Sequence, residues 1–147
     1  MASVLVDPDR RVARVGPGAR WSGVIAAAAP FGLAPLSGSA PSVGVTGFTL
    51  GGGVGWLARK HGFAADSVLR AEAVTADGRL VTASADKHSD LFWALRGGGG
   101  NFGVVTSLEF RPYPVARVYA GTAFFAISRA AETLARYREW VADAPTT

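Results

Sequence analysis

The amino-acid sequence predicts an α+β fold whose sheet is built from antiparallel hairpins and not from repeating strand–helix–strand units. Strand-like segments follow one another across short turns, most clearly residues 68–75 and 79–83 on either side of Asp77-Gly78. Near the carboxyl end, Ala130, Leu134 and Val141 recur at helical spacing. Neighbouring hairpins with separate helices are typical of the α+β class.

The composition is that of a folded chain: 147 residues, 49% hydrophobic and 18% charged. This composition is too apolar for a disordered segment. No run of 18 apolar residues and no signal sequence is visible, so we expect a cytoplasmic protein without a membrane partner. The absence of cysteine excludes disulfides and thiolate metal sites. The net charge of +4 comes from scattered arginines and not from a basic cluster, which argues against nucleic-acid binding.

The first elements are a hairpin and a helix. Residues 4–15 read as two strands joined by a turn at Asp7-Pro8-Asp9. Residues 21–31 read as a short helix that Pro30 and Gly32 end. The following stretch, residues 44–62, is interrupted by glycines and carries a helical turn at residues 56–60.

The later elements alternate between helix and strand. Residues 89–96 are predicted as a helix with Ser89 as its N-cap and Gly97 just beyond its end. Residues 104–110 and 118–125 are predicted as strands, and Ser128 caps the last helix. The aromatic residues of these helices, Phe92, Trp93 and Trp140, are interpreted as core.

Glycine is concentrated in two segments, which we call the first glycine segment (residues 44–62, seven glycines) and the second glycine segment (residues 97–103, five glycines). Glycine inside a helix or strand costs about 0.5–1 kcal/mol, so such density needs a reason. In the first segment, apolar residues such as Val45 and Leu50 interleave with the glycines, which favours a packed loop over a flexible linker. Packed glycine loops commonly turn main-chain N–H groups toward a ligand such as a phosphate.

Familiar motifs do not account for these segments. Gly98–Gly103 fits a dinucleotide fingerprint, but a helix precedes it and a strand follows, the reverse of the Rossmann order. P-loop and nucleophile-elbow patterns are absent, and His61 and His88 are interpreted as ordinary surface histidines without a metal. Asp66 has two equal interpretations, a residue that ties down loop amides or an ordinary turn residue.

The two segments together resemble a known family. Residues 42–66 (SVGVTGFTLGGGVGWLARKHGFAAD) and residues 90–106 (DLFWALRGGGGNFGVVT) resemble the flavin domain of berberine-bridge-enzyme-like oxidases, FAD-linked oxidoreductases of the vanillyl-alcohol-oxidase, or PCMH, type. Both motifs stand in the family's order with the Asp77-Gly78 hairpin between them. The resemblance extends from Val4 to Pro145.

The resemblance implies that residues 1–115 are part of a PCMH-type FAD-binding domain, its second subdomain. It also implies that residues 116–147 are the first strand and helix of a truncated substrate-binding domain. The residues it implies in FAD contact are Ser42, Val43, Gly44, Val45, Thr46, Gly47, Thr49, Gly51, Gly52, Gly53, Gly55, Asn101, Gly103, Val104 and Val105. Those up to Gly55 would meet the flavin and diphosphate through main-chain atoms, and those from Asn101 would meet the adenine and ribose.

Two departures from the family pattern concern covalent flavin attachment. Ala40 stands where doubly linked members carry a cysteine, so a cysteinyl-flavin bond is excluded. The Arg-x-Gly-Gly-His-type segment that supplies a histidyl link is absent from this sequence. We therefore expect a fragment that is not active by itself.

The activity implied for the complete assembly is oxidation of an alcohol, amine or sugar carbon by hydride transfer to FAD. No residue of this sequence is a credible catalytic base, so the catalytic residues are unknown. The missing parts could be supplied by a complementing chain. The alternative is a non-catalytic remnant or split subunit with weak or no flavin binding.

Overall fold

The computed structural model of the protein describes residues 1–144, which divide into two compact units, Met1–Ala116 and the part from Arg117 onward. The first unit contains a five-stranded antiparallel sheet in the order β1-β2-β5-β3-β4. Helices complete the unit, so the predicted α+β class is confirmed. Pro145, Thr146 and Thr147 lie outside the described residues, as does the end of the predicted substrate domain.

Both predicted hairpins are present. Strands β1 (Val4–Asp7) and β2 (Val12–Val15) pair, and the Asp7 carboxylate accepts a hydrogen bond from the Arg10 main-chain N–H at 2.9 Å in the turn. Strands β3 (Val68–Val74) and β4 (Leu80–Ser84) pair across the Asp77-Gly78 turn, where Gly78 has φ +80°. Glycine adopts that left-handed conformation without strain, which is why this dipeptide signalled a turn.

Strand β5 (Val104–Phe110) lies between the two hairpins and pairs with both β2 and β3. One face of the resulting sheet carries small buried residues, Ala13, Ala71, Ala73 and Ala83. The helices of this unit are α1 (Trp21–Ala28), α2 (Val45–Leu50), α3 (Ala58–His61) and α4 (Ser89–Leu95). Helices α1 and α4 add larger side chains to this core, among them Trp21 and Leu95.

The opposite face of the sheet is charged. Arg14 on β2 pairs with Glu72 on β3 at 3.2 Å, and Arg70 pairs with the same carboxylate at 3.0 Å. The alternation of these charges with the buried alanines follows the two-residue period of a strand with one solvated face.

The predicted helices need small corrections at their ends. Helix α1 ends at Ala28 and continues as a 3₁₀ turn (Ala29–Phe31) that contains Pro30, so only Gly32, with φ +66°, ends the segment. Proline is accepted there because its missing N–H falls in the first turn. The N-cap of α4 is His88, with φ +50°, and not Ser89. Trp93 is 75% exposed, which corrects its assignment to the core.

The second unit contains a 3₁₀ turn (Ile127–Arg129) and helix α5 (Ala130–Asp143). The predicted strand at residues 118–125 is wrong, because the segment has no regular structure and no strand among residues 117–144 is available to pair with it. Ser128 lies within the 3₁₀ turn, and Arg129 occupies the N-cap position of α5. The exposed Trp140 is likewise not a core residue within the described part of the chain.

None of the helices in residues 1–144 combines the length and the hydropathy that a membrane crossing requires.

Candidate functional site

The chain leading into the first glycine segment is fixed to the beginning of α1 and to the residues just before it. The Trp21 N–H donates to the Val43 carbonyl at 3.1 Å, and the Ser22 N–H donates to the Pro41 carbonyl at 2.7 Å. The Val45 N–H donates to the Ala19 carbonyl at 2.9 Å. Three main-chain hydrogen bonds within five residues hold this connection as part of the folded unit.

The segment then forms a short helix, α2 (Val45–Leu50), where the sequence predicted a packed loop. Four residues of α2 are buried, and Val45 and Leu50 belong to the apolar core. This packing outweighs the low helix propensity of Gly47, which is why propensity alone missed the helix. The prediction that the segment packs rather than moves freely agrees with this burial.

The exposed side of α2 consists of glycine. Gly44, Gly47 and Gly51 are spaced three and four residues apart, so they share one face, which we call the α2 glycine face. A Cβ built on Gly47 would have no atom of the described chain within 4 Å, and one on Gly44 would come no closer than 4.0 Å to the Ala19 carbonyl oxygen. None of the three has a positive φ. The chain's own structure therefore does not require glycine at these positions.

The glycines after α2 are required by the chain itself. Gly52 and Gly53 have φ +96° and +75°. A Cβ on Gly53 would lie 2.6 Å from the Phe48 ring, and one on Gly55 would collide with the Ser37 carbonyl oxygen. These residues let the backbone turn tightly against its own neighbours.

The second glycine segment follows α4 and includes a 3₁₀ turn (Gly99–Phe102). A Cβ on Gly98 would collide with the Ala94 carbonyl oxygen, and Gly103 combines φ +142° with a Cβ position 2.7 Å from the Val74 carbonyl oxygen. Gly100 alone in this segment has neither a positive φ nor an atom within 4 Å of its Cβ position. The helix before and the strand after the segment confirm that it is not a Rossmann fingerprint.

The fold brings the two glycine segments together. Cα atoms of α2 and of the turn Gly99–Phe102 approach within 8 Å, although about fifty residues separate them in the chain. The glycine-rich stretches that the sequence singled out are therefore neighbours on one unit.

Several of the predicted contact residues have buried side chains. Val45 and Val105 are core residues, and Thr46 and Thr49 are 9% and 2% exposed on the buried side of α2. The Asn101 amide nitrogen donates to the Gly98 carbonyl at 2.9 Å, which closes its own turn. Ser42, Val43 and Val104 are exposed. Contacts from the buried positions would have to be made by main-chain atoms.

Two orphaned hydroxyls are found beneath the α2 glycine face. The Oγ1 atoms of Thr46 and Thr49 are buried and have no hydrogen-bond partner among the described residues. Both lie on the buried side of α2, whereas Gly47 is exposed. The open face thus offers backbone and no side-chain group.

Among residues 1–144, the ionisable residues form no metal site. No three His, Cys, Asp or Glu residues in the described part of the chain are grouped so that they could hold a metal. The His61 ring stacks on Tyr113 with centroids 4.1 Å apart. The Asp66 carboxylate accepts the Phe63 N–H at 2.8 Å, so of its two interpretations the structure supports tying down a loop amide.

Sequence reasoning missed one residue at this site. The Arg20 guanidinium Nη1 donates to the Ser42 carbonyl oxygen at 3.1 Å, and Arg20 forms an isolated antiparallel bridge with Gly44. No motif pointed to Arg20, because an arginine just before a helix has many ordinary explanations.

A family model described as an FAD binding domain matches residues 1–84. The chain belongs to this FAD binding domain family. The resemblance to flavin domains of the vanillyl-alcohol-oxidase type is thereby confirmed, and the cofactor of this family is FAD. The backbone of the α2 glycine face at Gly44 and Gly47 is not crowded by other atoms of the described chain, which is compatible with a cofactor bound there through main-chain atoms.

The chain is similar to several known FAD-linked proteins. It is 44% identical over 117 residues to (R)-6-hydroxynicotine oxidase of Paenarthrobacter nicotinovorans, covering 80% of this chain and 26% of that protein. The structure of xylooligosaccharide oxidase from Myceliophthora thermophila matches with TM-score 0.74 and 43% identity, over 78% of this chain and 24% of that one. The structure of chitooligosaccharide oxidase matches with TM-score 0.84 and 34% identity, over 99% of this chain and 32% of that one. The chain thus spans about a quarter to a third of the length of these relatives.

Proposed function

We propose that this FAD binding domain holds FAD on the α2 glycine face and the adjoining turn Gly99–Phe102, as part of a flavin-dependent oxidoreductase. The proposed reaction is oxidation of an alcohol, amine or sugar carbon. Relatives named as oxidases of a hydroxynicotine and of oligosaccharides support this range of substrates. When bound, FAD would supply the chemistry by accepting a hydride from the substrate carbon.

The observation that carries the proposal is the unexplained glycine at position 47. Gly47 is a helical residue with an ordinary backbone conformation, and a Cβ there would meet nothing in the described chain. Alanine would give a more stable helix by about 0.5–1 kcal/mol. A glycine that the fold does not need is explained by a ligand that approaches the backbone.

The chain's own residues serve to position this surface. Val45 and Leu50 anchor α2 in the core, while the bonds from Trp21 and Ser22 hold the segment that enters it. Such a rigid, main-chain surface suits the proposed contacts of Ser42 to Gly55, since amide donors lose little freedom on binding. The adenine and ribose side is proposed at Asn101 to Val105 from the family resemblance, and the proximity of the second glycine segment to α2 supports it.

The second candidate is a non-catalytic chain that associates with another chain. Large apolar side chains are exposed on the first unit, including Val54, Trp56 and Val104. A visible spectrum of the purified protein separates the two candidates. Flavin absorbance, retained or restored by added FAD, supports the first, and a protein that stays colourless with FAD supports the second.

The substitution Gly47→Ala tests the proposed site, with Gly23→Ala as a matched control. Gly23 is the third residue of α1 as Gly47 is of α2, and its Cβ position lies an ordinary 3.7 Å from Val4. We expect both variants to gain about 0.5–1 kcal/mol in free energy of unfolding. Only Gly47→Ala should lose FAD affinity, measured by quenching of flavin fluorescence. Equal FAD affinity in both variants contradicts the site.

A further inference from the structure

The beginning of α1 and the residues just before it hold the segment that leads into the α2 glycine face. One bond in this connection comes from a side chain, the hydrogen bond from the Arg20 Nη1 atom to the Ser42 carbonyl oxygen at 3.1 Å. The other bonds join main-chain atoms and do not depend on residue type. The Ser42 carbonyl therefore has a side-chain donor, Arg20, whereas the bonded groups of the neighbouring residues have main-chain partners.

Arg20 is not held by any other charged group in the described chain. It is exposed, and no carboxylate among residues 1–144 lies within ion-pair distance of its guanidinium. By contrast, Arg14, Arg70, Arg79 and Arg129 all pair with carboxylates. The Ser42 carbonyl is thus the partner that orients Arg20, and a charged donor makes this a stronger bond than a neutral one.

The carbonyl that Arg20 holds belongs to the proposed contact surface. Ser42 is two residues before Gly44, the first member of the α2 glycine face, and Gly44 itself bridges Arg20. Ser42 and Gly44 are both exposed, and the peptide units between them are held by main-chain bonds from the Val43 N–H to the Ala40 carbonyl and from the Trp21 N–H to the Val43 carbonyl. The Ser42 carbonyl is the group of this stretch that a side chain holds. A change in the Ser42 carbonyl orientation would alter the backbone that leads directly into the face.

We propose that Arg20 is a positioning residue of this site, which orients the backbone of residues 42–44 through the Ser42 carbonyl. The inference rests on the proposed function, because it takes the α2 glycine face as the FAD surface. Arg20 does not itself need to touch FAD. Its effect on binding is exerted through the main-chain geometry of Ser42.

Arg20→Met, Arg20→Lys and the control Arg10→Met test the role. Methionine removes the donor and keeps the apolar stem, whereas lysine keeps a cationic donor. Arg10 is an exposed residue of the β1–β2 turn. This turn lies at the other end of the hairpin from Val15, after which the chain continues to Arg20. Like Arg20, Arg10 has no ion pair in the described chain. FAD affinity is measured by flavin fluorescence, and amide hydrogen exchange is followed at Val43 and Val45.

For Arg20→Met we expect a loss of about tenfold in FAD affinity, and exchange about fivefold faster at Val43 and Val45. Exchange in β3 should not change. Arg20→Lys should recover most of both effects, and Arg10→Met should behave like the unchanged protein. A purely structural loss would instead lower the midpoint of thermal unfolding and speed exchange throughout the first unit.

Unchanged exchange at Val43 and Val45 in Arg20→Met overturns the proposal, and so does a lysine variant that restores neither property. If the unchanged protein does not bind FAD, the proposed function fails. The exchange measurement still decides whether Arg20 holds this backbone, so the two failures are distinguishable.

Discussion

Gly47 and Gly103 lie in two segments that are both rich in glycine, and the structure uses them in opposite ways. Gly103 has φ +142° and its Cβ position lies 2.7 Å from the Val74 carbonyl oxygen, so the fold excludes any side chain there. Gly47 has an ordinary helical conformation and open space around its Cβ position. The difference teaches that glycine density marks two kinds of position: those that the chain's own packing demands and those left for something outside it.

The largest expected effect is on stability at Gly103, the glycine that the packing requires. Gly103→Ala should lower the free energy of unfolding by about 3 kcal/mol, because it combines an unfavourable φ with a collision against main-chain atoms. Chemical denaturation followed by tryptophan fluorescence measures the loss. Any fall in FAD binding should appear only together with the fall in stability. A variant of unchanged stability would show that the segment rearranges easily.

The next effect concerns the α2 glycine face. Gly44→Val should lower FAD affinity about tenfold, since a branched side chain would stand between the backbone and the ligand. The extended conformation of Gly44, φ −68° and ψ 132°, is open to valine, so the unfolding transition should move little. Gly52→Val is a poorer test because Gly52 has φ +96° and would be strained in the folded chain itself. If Gly44→Val lost stability and FAD affinity equally, the distinction between glycines that the packing requires and glycines that are left open for a ligand would not hold on this face.

A smaller effect is expected at Gly100, the unconstrained glycine of the second segment. Gly100→Ala should change the free energy of unfolding by less than about 0.5 kcal/mol, because no atom stands within 4 Å of its Cβ position. If this turn also faces FAD, affinity should fall about threefold in a fluorescence titration. If Gly100→Ala bound FAD with unchanged affinity, the glycines in contact with FAD would be limited to the α2 glycine face.

The smallest effect lies away from both segments, in the β3–β4 turn. The Thr75 hydroxyl and then the Arg79 guanidinium hold the pKa of Asp77 below its ordinary value of 3.8. These contacts stabilise the fold while the carboxylate is ionised, and the contribution disappears as the pH falls through the lowered pKa. Denaturation at about pH 5 and about pH 2 should therefore show a slightly greater loss in the unchanged protein than in Asp77→Asn. An identical loss would mean that the exposed turn contributes nothing measurable.

The sequence predictions were accurate where local interactions decide the structure and failed where contacts between distant residues decide it. The Asp77-Gly78 hairpin and strand β5 were correct because turn chemistry and alternation act between near neighbours. Helix α2 was missed because burial of Val45 and Leu50 against distant residues outweighs local propensity. The strand expected at residues 118–125 failed since alternation does not provide a pairing partner. The boundary between the FAD-binding and substrate domains, proposed at residue 115, stays a prediction.

The sequence by itself determined the α+β class, the hairpins, the FAD family and the two segments that make the candidate site. These rest on local signals and on motifs that stand at fixed spacing. Only the tertiary structure decided which glycines are open, because the atoms that crowd Gly55 and Gly103 come from Ser37 and Val74, far along the chain. It also brought α2 beside the turn Gly99–Phe102 and placed Arg20 on the Ser42 carbonyl. Such contacts depend on how the whole sheet and its helices pack, which no short window of sequence contains.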